Sequence, residues 1–147
     1  MPFKINIAEK GKTWKLETDA SALNGKSIGE KFQGSEISPD LAGYELEIMG
    51  GSDKSGFPMY TKVEGIGLKK VLLKKGWGMH KRPKKEGKKK RSTPKGMRKR
   101  KTVRGKSISD AVSQLNLKVI KHGHKHLAEI FPDQNKPKET KAVEVAA

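Results

Sequence analysis

Several clusters in this chain could do chemistry, and each can be tested against the partners that chemistry requires. Two Gly-Lys-Ser triplets, at residues 25–27 and 105–107, suggest phosphate-binding loops. Such a loop needs a glycine five residues before the glycine of the Gly-Lys pair, so that bare backbone amides can cradle the phosphate. Ala20 and Arg100 occupy those positions, and both candidates fail. In GIGLKK, residues 65–70, Lys70 stands where the third glycine of a dinucleotide fingerprint belongs. His122, His124 and His126 alternate in HGHKH and would share one face of a strand. They have no cysteine or carboxylate close in sequence, so the segment reads as a polar turn and no metal site is expected. No nucleophile–histidine–acid spacing or carboxylate pair stands out. The expectation is a protein without catalysis, cofactor or small-molecule substrate.

The strongest chemical signal is charge. KRPKKEGKKKRSTPKGMRKRKTVRGK, residues 81–106, holds fifteen Lys or Arg and one acid, Glu86, in a chain of net charge +17. The rest of the molecule is close to neutral, so the charge is a local device. Such a run repels itself, and a phosphate backbone would remove that repulsion while releasing counterions. The candidates for RNA contact are Lys75, Lys81, Arg82, Lys84, Lys85, Lys88, Lys89, Lys90, Arg91, Lys95, Arg98, Lys99, Arg100, Lys101 and Arg104. Arginine forks suit phosphate or a guanine edge. Trp77, between Gly76 and Gly78, could be a lid on the core or a stacking platform for an exposed base.

These residues must be carried by a fold. Phe3, Ile5 and Ile7 alternate with polar residues, as do Trp14 and Leu16, which predicts a hairpin turning at Gly11. ISPDLAG predicts a single helical turn with Ser38 as cap, Pro39 in the first position and Gly43 as the stop. YELEIM and SQLNLKVIKHG alternate as half-buried strands, with Tyr44, Leu46, Ile48, Leu115, Leu117 and Val119 inward. GLKKVLLKKG, residues 67–76, is expected to be a buried strand with basic ends. Short strands and Gly-rich turns predict a mainly β protein, a small β-barrel with an embedded basic loop. The expected plan is one barrel domain at 1–127, including a basic loop at 76–107, and a disordered tail at 128–147. The chain has no cysteine, and no apolar run of signal-peptide or membrane-span length is visible. Those features predict a cytoplasmic protein with a polyanionic partner.

One further stretch is more specific. MGGSDKSGFPMY, residues 49–60, reads physically as a rigid loop of small residues. Gly50 and Gly51 would let the chain leave its strand, Asp53 would hold the loop through its own side chain, and Gly56 would reverse it. The string GGSDKSGFPM closely resembles the signature of the ribosomal protein S-six-e family of archaeal and eukaryotic small subunits. LLKKG, KRP at 81–83, GMRKRKTVRG at 96–105 and LNLKVIKHG at 115–123 resemble other pieces of that family in the same order. The resemblance implies a β-barrel in the small ribosomal subunit, bound to ribosomal RNA beside neighbouring ribosomal proteins and serving assembly and translation. It also implies RNA contact by Lys54, Lys81, Arg82, Arg98, Lys99, Arg100, Lys101 and Arg104. The chain looks like the short archaeal form, without the phosphorylated basic tail of eukaryotic members, and its segment between Pro83 and Met97 looks longer than the family's.

The main alternative is a free-standing nucleic-acid binder of chromatin type, which would share the salt dependence but would not need the GGSDKSGFPM loop. A membrane-surface protein would need an apolar face or lipid anchor beside the charge, and none is visible.

Overall fold

The computed structural model describes residues 3–19, 21–79 and 95–135. The chain is mainly β, as expected. A five-stranded sheet has the order β2-β1-β7-β4-β3, from β1 (Phe3–Glu9), β2 (Lys12–Thr18), β3 (Lys31–Gln33), β4 (Glu45–Asp53) and β7 (Val112–Lys121). A separate hairpin pairs β5 (Leu68–Lys74) with β6 (Arg98–Arg104). Among the described residues no ladder joins β2 to β3. Sheet and hairpin are tied by isolated bridges, Met59 to Arg104 and Ser27 to Ser107.

Alternation dictates the core. Phe3, Ile5, Ile7 and Trp14 from the first hairpin, Leu46 and Ile48 from β4, and Leu115 and Leu117 from β7 are buried in one cluster. The first turn is the two-residue loop Lys10-Gly11, both with positive φ (43° and 81°), the geometry that matches strand twist in tight hairpins. Ser38, Pro39 and Gly43 behave as expected: a single 3-10 turn spans Pro39–Leu41, with Ser38 accepting from the Asp40 amide. Tyr44 is buried beside it and donates its hydroxyl to the Lys125 carbonyl. Burial, with the Glu9 and Glu129 carboxylates, pushes that hydroxyl above the usual tyrosine range, so it remains a donor.

Three expectations change. First, β4 does not end at Gly50; it continues to Asp53 across a register shift between Ile48 and Gly50, where Gly50 adopts φ 151°. The glycines serve close packing within the sheet, since a Cβ on Gly51 would lie 2.3 Å from the Gln114 carbonyl oxygen of β7. Second, β5 is not a buried strand. Leu68 and Leu72 are exposed and Leu73 alone is buried, because β5 has only β6 as a strand partner and one side of that ribbon faces away from the body. Third, chain order extends past residue 127. Helix α1 (Leu127–Ile130) buries Leu127, and Phe131 packs against the core. Gln134 then bonds both the Lys15 amide and its carbonyl, while the Asn135 side-chain amide donates to the Thr13 carbonyl. These side chains occupy part of the outer edge of β2, a common protection for an edge strand.

Candidate nucleic-acid interface

The basic run is only partly a loop. Seven of its residues, Arg98–Arg104, form β6, a strand inside the stretch expected to be an embedded loop. Gly96 and Gly105 bound it, and Thr102-Val103 is a good strand pair; those signals were masked by the lysines and arginines around them.

Cross-strand register sorts the hairpin's side chains into two faces. Lys74 sits opposite Arg98, Leu72 opposite Arg100, and Lys70 opposite Thr102; Leu73 opposes Lys99 and Lys69 opposes Val103 on the other side. Leu73 and Val103 are buried and attach that second face to the body. Eight of the hairpin's fourteen strand residues are basic and none is acidic. Like charges directly across a ladder are destabilising, and Lys74 and Arg98 are both exposed. A ribbon of this kind is matched by a polyanion, in the way the backbone of RNA presents one charge per nucleotide.

At the free end of β5 the chain makes a tight turn, with the Met79 amide donating to the Gly76 carbonyl at 3.1 Å. Gly76 and Gly78 take positive φ (137° and 71°), which holds Trp77 out at the tip. Trp77 is 50% exposed, and its ring stacks on Tyr60 at 4.7 Å between centroids and 16° between planes. That exposure takes Trp77 out of the core, while a lid over Tyr60 and a stacking platform both fit its half-covered ring. Tyr60 was missed in the sequence because it lies beyond the Phe57-Pro58 exit and joins the site only through the bridge at Met59. A cleft of about 300 Å³ runs between the Gly56-Phe57-Pro58 loop and Leu73, Lys99 and Arg100 of the hairpin.

Arg104 has a different place from the one expected. Its Nε donates to Asp53 Oδ2 at 2.9 Å, Nη2 reaches the same oxygen, and Nη1 donates to the Ile66 carbonyl at 2.7 Å. Its side chain is 12% exposed and that of Asp53 6%. Burial pushes the Asp53 carboxyl up, but the Arg104 hydrogen bonds and the amides of Ser55 and Lys54 outweigh it and hold the group below the usual range. Asp53 thus holds its own loop, as expected, and also clamps that loop to β6. Lys101 is also partly committed, donating to the Gly78 carbonyl at 2.8 Å. Lys54, Lys75, Lys95, Arg98, Lys99 and Arg100 are exposed. Lys81, Arg82, Lys84, Lys85, Lys88, Lys89, Lys90 and Arg91 lie outside the described residues. The structure adds Lys69, Lys70 and Lys74, which share the hairpin with β6. Among the histidines, His122 Nδ1 lies 3.2 Å from Glu9 and meets Tyr44 edge-on.

A family model described as Ribosomal protein S6e matches residues 1–132. The chain belongs to the ribosomal protein S6e family. Relatives named small ribosomal subunit protein eS6 agree along nearly its full length. That of Methanosphaera stadtmanae is 41% identical over 142 residues, covering 95% of this chain and 99% of the relative. That of Methanothermobacter thermautotrophicus is 41% identical, covering 89% and 96%, and that of Halobacterium salinarum 39%, covering 88% and 92%. The S6e match includes α1 and Phe131, which agrees with the order found past residue 127. The S6e family is a structural rather than an enzymatic one, in line with the unreadable catalytic motifs. Among the described residues, no helix is long and apolar enough to cross a membrane.

Proposed function

We propose that this protein is a structural constituent of the small ribosomal subunit in the cytoplasm, and that it holds ribosomal RNA through the β5–β6 hairpin and the basic segment between those strands. The observation that carries this reading is the hairpin itself: eight basic residues, no acid, and a like-charge pair, Lys74 and Arg98, facing each other across the ladder. Family membership supplies the setting. Lys54, Lys75, Lys95, Arg98, Lys99 and Arg100 provide phosphate contacts, joined by Lys70 and Lys74; Lys81 to Arg91 extend the same charge. Trp77, backed by Tyr60, offers its outer face to an unpaired base, a contact worth about 1–3 kcal/mol. Lys101 contributes charge from its partly buried position. Arg104 is a clamp and not an RNA ligand. Neighbouring small-subunit proteins complete the surroundings. We read sheet and hairpin as one small barrel-like domain, closed through the bridges at Ser27, Ser107, Met59 and Arg104.

The test is a titration with small-subunit ribosomal RNA across about 50–200 mM salt, where 6–10 phosphate contacts would cost three to five orders of magnitude in affinity. Replacing Lys74, Arg98 and Arg100 together by alanine should flatten the slope of log affinity against log salt by about 2–3. An unchanged slope would remove the hairpin from the interface.

A further inference from the structure

We infer that the free edge of β5 is a docking site for a protein strand, an extended segment in which acidic and aliphatic side chains alternate on one face. This goes beyond the RNA reading and shares only Lys70 and Lys74 with it; a lysine has three donors, enough for a carboxylate as well as a phosphate. Register decides where the backbone groups point. The Gly105 amide donates to the Gly67 carbonyl at 2.9 Å, so that opposed pair bonds across the ribbon. The next pair, Leu68 and Arg104, therefore turns its backbone groups away from each other. Arg104 agrees: its amide donates to the Pro58 carbonyl and its carbonyl accepts from the Tyr60 amide, both at 2.9 Å and both on the far side of β6. Alternation then sends the amides and carbonyls of Leu68, Lys70, Leu72 and Lys74 outward from β5, and no described residue bonds them. Their four side chains share one face of the ribbon, opposite the face that Leu73 anchors, and Leu68 and Leu72 are 49% and 56% exposed.

A row of alternating donors and acceptors fits a peptide backbone. It does not fit a phosphate chain, which the four carbonyls would repel. A strand added there sets one side chain beside each of the four on the outer face. Aliphatic residues suit Leu68 and Leu72, and acidic residues suit Lys70 and Lys74. An antiparallel partner therefore reads acid-x-aliphatic-x-acid-x-aliphatic from its N-terminus. Charge selects the occupant, since the ribbon holds eight basic residues and no acid. A second copy of β5 would bring three more lysines and nothing to balance them. Edge lysines thus bar self-pairing while admitting an acidic strand.

The test uses the full chain without RNA and the end-blocked peptide TETVTETV, with TKTVTKTV as control, followed by amide hydrogen exchange. The amides of Leu68, Lys70, Leu72 and Lys74 should exchange more slowly as TETVTETV is added, and the effect should saturate. Those of Lys69, Val71 and Leu73, which face β6, should keep their rates. Lys70→Glu together with Lys74→Glu should weaken TETVTETV by about tenfold, as two lost surface pairs would, and should admit TKTVTKTV instead. An equal response of the native chain to both peptides would overturn the site, and so would no slowing with either. Slowing of the same amides by rising protein concentration alone would make the occupant a second copy and overturn the acidic partner. Arg98→Ala with Arg100→Ala separates this site from the RNA reading. Those charges lie one strand farther from the peptide, about 10 Å away and past the screening length of about 8 Å at physiological salt. That variant should bind TETVTETV as the native chain does while its salt slope on RNA flattens, so either reading can fail without the other.

Discussion

Asp53 and Arg104 tie the signature loop to β6, a strand with five basic residues. Arg104 spends its donors on Asp53 and on the Ile66 carbonyl, so one arginine fixes three segments at once. Removing it would leave a buried carboxylate without its counter-charge, a change that costs about 3–5 kcal/mol. Arg104→Ala should therefore lower unfolding free energy in urea by that order, while Arg98→Ala, at an exposed position, should change it by less than about 0.5 kcal/mol. Equal effects would refute the clamp. The same pair sets a pH dependence. The folded Asp53 carboxyl lies below its unfolded value, so its contribution is fully present above the unfolded value of about 4. It is lost as pH falls through the lowered folded value, where the unfolded chain already binds the proton. Stability measured from pH 6 downward should fall less steeply in Asp53→Asn than in the native chain. Parallel acid limbs would mean that the carboxyl is not held low.

At the scale of elements, close backbone packing explains the glycines that sequence reading had assigned to a loop. Gly51 lies in β4 against β7, and a Cβ there would meet the Gln114 carbonyl oxygen at 2.3 Å. Since that neighbour is ladder backbone, it cannot step aside as a flexible side chain would. Gly51→Ala should cost about 1–3 kcal/mol, the range for overpacking, whereas Gly67→Ala, with nothing within 4 Å, should cost little. Thermal melts of the two variants would check this, and indistinguishable midpoints would contradict it. The contrast shows what was readable. The strands at Phe3–Glu9, Lys12–Thr18 and Val112–Lys121, and the first half of Glu45–Asp53, were legible because one face of each meets the core, and alternation records that directly. The short strand β3 carries too few residues to show a period. Strand β6 was hidden because its exposed positions are all basic. The exposure of β5 was illegible because VLL looks the same whether a strand lies inside a sheet or on a projecting ribbon. The site was legible as charge, but the inward turn of Arg104 and the stacking of Tyr60 on Trp77 depend on contacts between segments far apart in sequence.

Across the whole molecule, one apolar cluster holds a nearly neutral sheet, and the charge is concentrated on the hairpin and the segment it carries. That division suits a protein whose body must pack while its excursion meets phosphate. It also leaves like charges facing each other across the hairpin, a repulsion that a polyanion would relieve. The measurement that tests this most directly is sucrose-gradient sedimentation of a native extract, with the protein followed by antibody at low and high salt. The account predicts comigration with small ribosomal subunits that survives a high-salt wash, as expected of a component whose basic excursion is enclosed by RNA. Protein remaining at the top of the gradient, or following chromosomal DNA, would contradict it.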